Sequence, residues 1–185
     1  NTAMGYEALL NNTTAYHNTA LGAKALRSNT TGYFNTAAGS NAGVSITSGH
    51  SNVAIGGNAM LQNRRGYSSV AIGKDALRED TIPQNTVAIG DSALMYNQSD
   101  TDEFYVNGNG NTAVGSKANQ NNIYGGLNTA IGFKSLSKPS GAFYTTAVGV
   151  QTLRDLREGS FNTALGADAG AYLVSGEENT FLGYL

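Results

Sequence analysis

Small and apolar residues recur along this chain with one short period. Each repeat opens with an Asn-Thr-Ala-aliphatic-Gly pattern, or a close variant of it. The repeats start at Asn1, Asn18, Asn35, Asn52, Ser69, Thr86, Asn111, Asn128, Thr145, Asn162 and Asn179. Nine of the ten intervals are 17 residues long, and the interval from Thr86 to Asn111 is 25. A short period that runs through the whole sequence predicts a solenoid, in which each repeat buries its apolar face against the next.

The positions within a repeat, counted from its first residue, predict the elements of one coil. Position 2 is Thr or Val, position 3 is alanine except at Phe181, and position 4 is always apolar. This pattern predicts a short strand with small and large side chains on opposite faces. Position 8 is small and position 9 usually large, which predicts a second short strand. Position 15 predicts a turn, with Gly32, Gly49, Gly66, Gly125, Gly159 and Gly176, and Pro83 in one unit.

Position 5 is glycine in every repeat. These residues are Gly5, Gly22, Gly39, Gly56, Gly73, Gly90, Gly115, Gly132, Gly149, Gly166 and Gly183. A glycine at a fixed place in each coil marks a backbone with positive φ, or one that another backbone approaches too closely for a Cβ atom.

Together these columns predict an all-β fold, a parallel β-roll (β-solenoid) with one 17-residue coil per repeat, over residues 1–185 as a single domain. A helical solenoid is the alternative, but 17 residues cannot hold two helices with their turns, and recurrent Gly and Asn penalise helix. Coils that rise ~4.8 Å each give a rod about 50 Å long. Neither end of the sequence shows a polar cap, so we interpret the chain as an internal piece of a longer fibre.

The pattern also predicts self-assembly. Positions 4 and 9 form two apolar stripes, and a coil of this size cannot bury both of them. Large apolar stripes are rare on monomer surfaces, so we expect at least one to pack against copies of the same chain. Parallel copies in register about a rotation axis would satisfy every repeat at once. Periodicity alone leaves a two-fold and a three-fold axis open.

Composition narrows the classes of function. The net charge of −2 gives no field that would attract nucleic acid, so we expect no nucleic-acid partner. The absence of cysteine excludes a disulfide framework and thiolate metal sites. No apolar run approaches the ~20 residues of a membrane helix, so we expect no direct membrane insertion in this segment.

The segments Asn52-Val53-Ala54-Ile55-Gly56, Ser69-Val70-Ala71-Ile72-Gly73 and Thr86-Val87-Ala88-Ile89-Gly90 resemble the head repeats of YadA-like trimeric autotransporter adhesins. Related units occur in phage tail fibres. This resemblance implies a left-handed roll in a homotrimer, displayed outside the cell, on a bacterial surface or on a virion. The period of 17 is longer than that of the adhesin-head coil, so we expect turn lengths and exposed faces to differ.

The 25-residue unit carries an inserted loop at about 97–110. Insertions in solenoids emerge on one face, often the binding face. Asp100, Asp102 and Glu103 are weak candidates for binding Ca²⁺, because the later glycine and glutamate of the calcium-loop motif are missing and a solvated loop is the simpler interpretation. Phe104 and Tyr105 could contact a ligand or pack the loop onto the roll, and packing is favoured.

Other candidate chemistry is sparse. His17 and His50 lie beside the predicted turn, where aromatic stacking accounts for them better than a metal site. Aromatic residues also form a ridge at positions 16 and 17, which suits carbohydrate or protein contact, although packing between subunits is favoured. The ridge residues are Tyr16, Tyr33, Phe34, Tyr67, Phe143, Tyr144 and Phe161. No catalytic constellation is found, so we expect no enzyme activity, no metal and no cofactor.

The sequence therefore favours a trimeric rod for attachment, with a host-surface protein or a glycan as its receptor. A monomeric ice-binding solenoid is one alternative, suggested by the column Thr2, Thr19 and Thr36, which breaks to valine further along. A glycan-degrading fibre module is another, supported only by analogy with other tail fibres.

Overall fold

The computed structural model describes residues 1–99 and 107–185, and within them it contains β-strands and turns but no α-helix. Each strand has three residues. In chain order they are β1 (Thr2–Met4), β2 (Thr19–Leu21), β3 (Thr36–Ala38), β4 (Val53–Ile55), β5 (Val70–Ile72), β6 (Val87–Ile89), β7 (Thr112–Val114), β8 (Thr129–Ile131), β9 (Gly141–Phe143), β10 (Thr146–Val148), β11 (Glu158–Ser160), β12 (Thr163–Leu165) and β13 (Thr180–Leu182).

Eleven of these strands form one parallel sheet in the order β1-β2-β3-β4-β5-β6-β7-β8-β10-β12-β13. Each pairs with the strand one repeat away, so that Thr19 lies opposite Thr36. The register holds across the 25-residue unit, where Val87 lies opposite Thr112. The predicted parallel β-solenoid with one coil per repeat is therefore confirmed. Strands β9 and β11 form a second, two-stranded parallel sheet.

The core is a thin double row of side chains inside the coils. Position 3 supplies alanines such as Ala71, and position 9 supplies large residues such as Leu77, and neither of these two residues has any exposed surface. Position 4 lies on the other face of each strand, and Leu21 is 44% exposed there. The predicted separation of small and large side chains at positions 3 and 4 is confirmed, and of the two apolar stripes only the one at position 9 is buried.

The predicted second strand at positions 8 and 9 is wrong, because this segment forms consecutive turns. The N–H of Ala25 donates to the oxygen of Gly22 (3.3 Å) within the coil, whereas the N–H of Leu26 donates to Ala42 of the next coil (3.0 Å). Leu26 has a φ of 48°, in the left-handed region. Alternation of a small and a large residue fits this arrangement as well as it fits a strand.

The prediction for the glycines of position 5 is confirmed on both counts. Gly90 has a φ of 134°, and a Cβ added to it would lie 2.6 Å from the carbonyl carbon and oxygen of Gly115 in the next coil. The turn predicted at position 15 needs correction. Gly32 has no positive φ, and a Cβ there would lie 2.5 Å from the side-chain oxygen of Asn29, so the glycine serves close packing. In the strand β11, position 15 is Gly159, which has a φ of 123°.

Position 1 holds a ladder of buried polar side chains that joins the coils. The side-chain oxygen of Asn18 accepts the N–H of Asn35 (2.9 Å), and its amide donates to the oxygen of Gly32 (2.8 Å). Asn52 repeats both contacts, with Ser69 at 3.2 Å and Gly66 at 2.7 Å. Since buried backbone groups without partners are costly, this ladder fixes where each strand begins.

Candidate functional site

The outward face of the eleven-stranded sheet is uncovered and carries an apolar column at position 4. Its side chains come from position 4, where Leu165 is 50% exposed and Ile89 36%, and from position 2 beside it. With strands ~4.8 Å apart, the face extends continuously over about 50 Å. Contiguous apolar surfaces of this extent mark interaction sites in most soluble proteins.

The threonine column at position 2 also lies on this face, and the column beside it at position 4 is apolar and carries no hydroxyl group. Valine interrupts it in β4, β5 and β6. The threonines at position 13 use their hydroxyl groups for bonds between coils. The Thr13 hydroxyl donates to the backbone carbonyl oxygen of Thr30 (2.8 Å), and the Thr30 hydroxyl donates to the backbone carbonyl oxygen of Thr47 (3.1 Å). The two matched rows of free hydroxyls that an ice-binding face would need are therefore not formed by these columns.

The aromatic ridge is a ladder of parallel rings. Centroids are 5.2 Å apart between Tyr16 and Tyr33, 4.8 Å between Tyr33 and His50, and 5.3 Å between His50 and Tyr67, with planes within 9° of parallel. The rings therefore turn their faces to one another and their edges to solvent. A sugar that stacks on the face of an aromatic ring finds no free face inside such a ladder.

Both histidines belong to these ladders. His17 stacks on Phe34 at 5.1 Å, in a second column beside the first. Tyr144 and Phe161 continue that second column further along, also at 5.1 Å. Among the described residues, no group of three or more His, Cys, Asp or Glu side chains could hold a metal ion.

The insertion leaves and re-enters the coil at one place. The amide of Asn97 donates to the oxygen of Gly108 (2.7 Å), and Asn111 donates to the same oxygen (3.0 Å). Its predicted ligand residues lie outside the described part of the chain: Asp100, Asp102 and Glu103 as calcium candidates, and Phe104 and Tyr105 as possible ligand contacts.

Asp80 is a buried carboxyl group at the base of the insertion, and the sequence analysis did not single it out. Its Oδ1 accepts the N–H groups of Ile82 (3.2 Å) and Ser99 (3.1 Å), and its Oδ2 accepts the Ser99 hydroxyl (2.9 Å) and the Asn97 amide. Burial raises the pKa of Asp80 to about 6, against the opposing effect of these hydrogen bonds. The sequence carried one sign of this group: position 12 changes from asparagine at Asn63 to aspartate at Asp80 in the next coil.

The stacking of turns opens beside Asp80. In regular coils, backbone bonds link position 13 of one coil to the next, as from Thr30 to Thr47 (3.0 Å) and from Arg64 to Thr81 (2.8 Å). Within residues 1–99 and 107–185, no such bond joins Thr81 to Gln98. A cavity of about 290 Å³ lies there, and its lining is Glu79, Thr81, Gln98, Ser99 and Tyr124.

Comparison of the chain with family models, with curated proteins and with solved structures gave no match. In the described ranges there is also no helix of the length and apolar character needed to cross a bilayer.

Proposed function

We propose that this chain forms part of an extracellular, homotrimeric rod that attaches a bacterial cell or a virion to a surface. The observation that carries the proposal is the apolar outward face of the sheet. Its position-4 column is exposed in the single chain, and Leu21, Ile55, Ile89, Ile131 and Leu165 each leave more than a third of their surface in water. Covering this column removes apolar area from water in every coil.

Parallel copies of the chain suit this face. Each coil presents the same outward positions at the same height, so copies aligned about a rotation axis meet with like residues throughout the length of the rod. The resemblance to trimeric adhesin heads favours three copies over two. A rod with many equivalent coils can also add weak receptor contacts into tight attachment.

Sedimentation equilibrium at micromolar concentration tests the assembly. We expect a mass three times that of one chain. The double variant Ile55→Asp/Ile89→Asp places two charges in the apolar face and should sediment as a folded monomer, whereas Arg65→Asp, on an exposed turn away from the sheet, should remain trimeric. A monomeric mass for the unaltered chain would overturn the trimer.

Attachment is tested separately. Beads coated with the trimer should bind to immobilised glycans or host-surface proteins, and beads coated with the Ile55→Asp/Ile89→Asp monomer at equal density should bind more weakly because they lose multivalency. Equal absence of binding for both proteins would leave a structural rod without an adhesive role. Catalysis is not part of the proposal.

A further inference from the structure

The cavity beside the insertion is built from three successive coils. Glu79 and Thr81 come from the coil that holds β5, Gln98 and Ser99 from the coil of β6, and Tyr124 from the coil of β7. Three coils span about 10 Å along the axis, which is more than the width of one six-membered sugar ring. The cavity lies where the turn ladder opens, between Thr81 and Gln98.

The lining offers several hydrogen-bonding groups, and its one charged side chain is held in an ion pair. Glu79 supplies carboxylate oxygens, Thr81 a hydroxyl group, and Gln98 both an amide donor and an amide acceptor. The Glu79 carboxylate lies 3.1 Å from the guanidinium of Arg78, which balances its charge. A neutral ligand with several hydroxyl groups matches this set better than a cation or an anion does.

Tyr124 gives the cavity an aromatic wall. Its side chain is exposed, and it has no stacked aromatic partner among the described residues. The residues at the same position in the adjoining coils are small, Ser99 on one side and Gly141 on the other. A Cβ added at Gly141 would meet nothing within 4 Å, so space is present beside it. Each of the ridge tyrosines, by contrast, has at least one ring face covered by a stacked ring.

The floor of the cavity is fixed before any ligand arrives. Ser99 is 7% exposed, and both its N–H and its hydroxyl donate to the buried carboxylate of Asp80. A polar site whose members are held by buried hydrogen bonds loses less freedom on binding. Asp80 thus acts as a positioning residue beneath the cavity.

We propose that this cavity binds one neutral hexopyranose unit of a glycan, with Tyr124 stacked on the sugar ring and Glu79, Thr81 and Gln98 bound to its hydroxyl groups. This proposal rests on the proposed attachment function, and it specifies a glycan as the receptor. The cavity lies at positions 11–14, outside the strands, so trimer assembly through the sheet face leaves it accessible.

Saturation-transfer NMR on the full chain tests the site, with four probes: the methyl glycosides of glucose, galactose and mannose, and N-acetylglucosamine. We expect at least one probe to bind with a Kd of about 1 mM, the strength typical of a small polar ligand. Tyr124→Ala and Gln98→Ala should each weaken that binding about tenfold. Tyr144→Ala removes a tyrosine of similar exposure from the ridge and should leave it unchanged.

Three results would overturn the proposed sugar site. The first is that none of the four sugars shows saturation transfer, and the second is that binding survives both cavity variants. The third is that titration with calcium chloride shifts the Tyr124 resonances while no sugar shifts them. The mass measured by sedimentation tests the trimer independently of sugar binding, so failure of the cavity proposal can be distinguished from failure of the proposed function. A trimer without sugar binding removes only the cavity proposal, and a monomer that binds sugar removes only the trimer.

Discussion

At the scale of single residues, the coil depends on three columns with a left-handed backbone. Positions 7, 9 and 17 have positive φ throughout the described chain, as in Asp75 (57°), Leu77 (49°) and Ser68 (52°). None of these columns contains Val, Ile or Thr. This exclusion has a physical cause, because a branched Cβ collides with the backbone in that region more severely than an unbranched one.

Leu77→Ile tests this rule, with Leu156→Ile as its matched control. Both leucines are fully buried, but only Leu77 has positive φ. The swap itself costs less than about 1.5 kcal/mol where the core can repack. We expect Leu77→Ile to lower the free energy of unfolding by about 1–2 kcal/mol more than the control, measured by urea denaturation. Equal losses would contradict the rule.

The glycines give a second prediction at this scale. Gly90→Ala should destabilise the chain by more than about 2 kcal/mol, because the new Cβ meets the backbone of Gly115. Gly57→Ala, where a Cβ meets nothing within 4 Å, should change stability by less than about 0.5 kcal/mol. Thermal melts of the two variants decide the matter, and indistinguishable midpoints would refute the close-approach argument.

At the scale of elements, the three-residue strands are held in place by the polar ladder of position 1. Each strand is too short to specify its own pairing. Asn52 links three coils, since it contacts Asn35 in the coil before it and Ser69 in the coil after it. The ladder therefore supplies register as well as stability.

Substitutions at Asn52 test how much this ladder contributes to stability. Asn52→Asp replaces the donor to the oxygen of Gly66 by a buried carboxylate oxygen, and it should cost about 3 kcal/mol at neutral pH. Asn52→Thr should cost less, because threonine fills the same position at Thr145, where its hydroxyl donates to Phe143 (3.2 Å). Urea denaturation of both variants provides the measurement. If Asp were tolerated as well as Thr, the ladder would not carry the stability assigned to it.

Asp80 predicts how stability depends on pH. Its pKa is about 6 in the folded chain, above the ordinary value of 3.8, so the folded state holds the proton more tightly. The free energy of unfolding should therefore decrease by about 2 kcal/mol as the pH rises from 4.5 to 7, and Asp80→Asn should remove most of that decrease.

Asp155 behaves in the opposite way and does not disturb this window. Hydrogen bonds from Arg154 and Lys138 hold its pKa well below the usual range, so its contribution is lost only as the pH falls below about 4. Equal changes of stability between pH 4.5 and 7 in the unaltered chain and in Asp80→Asn would show that Asp80 is not protonated more readily on folding.

Sequence analysis predicted the strands at positions 2–4 and the glycines at position 5, because both follow from strict columns of residue type. It misassigned positions 8 and 9, since alternation of Ala and Leu is the same in a strand and in stacked turns. The left-handed columns were visible only as an absence of β-branched residues. The cavity could not be predicted, because it depends on a missing backbone contact between Thr81 and Gln98 and not on a motif.

At the scale of the whole molecule, the structure is a stack of equivalent coils. Each coil contacts mainly its two neighbours, and the insertion changes neither the sheet nor its register. Stability is then close to a sum over coils and the contacts between them. The number of coils can therefore change without loss of the fold, but the spacing of 17 residues between equivalent positions cannot.

Deletions test this conclusion. Removal of residues 35–51 takes out one complete coil and joins Phe34 to Asn52 in phase, so the variant should fold and unfold cooperatively in a rod about 5 Å shorter. Removal of residues 35–50 leaves one residue too many and turns the alanines of position 3 outward unless the chain bulges. Circular-dichroism melts should show a sharp transition for the first variant and a lower, broader one for the second. Two equally sharp melts would show that phase is not required.

The gap between Thr81 and Gln98 also has a mechanical consequence. When a rod of this kind is pulled along its axis, every junction between coils carries the same tension, so rupture begins at the junction with the fewest bonds across it. At the junction beside the insertion, hydrogen bonds from Asn97 and Ser99 to the Asp80 carboxylate stand in for the missing backbone bond, so the resistance to tearing there depends on one buried carboxyl group. A sugar bound across the three coils would add hydrogen bonds at that junction, so the rod would be harder to pull apart with the sugar bound than without it.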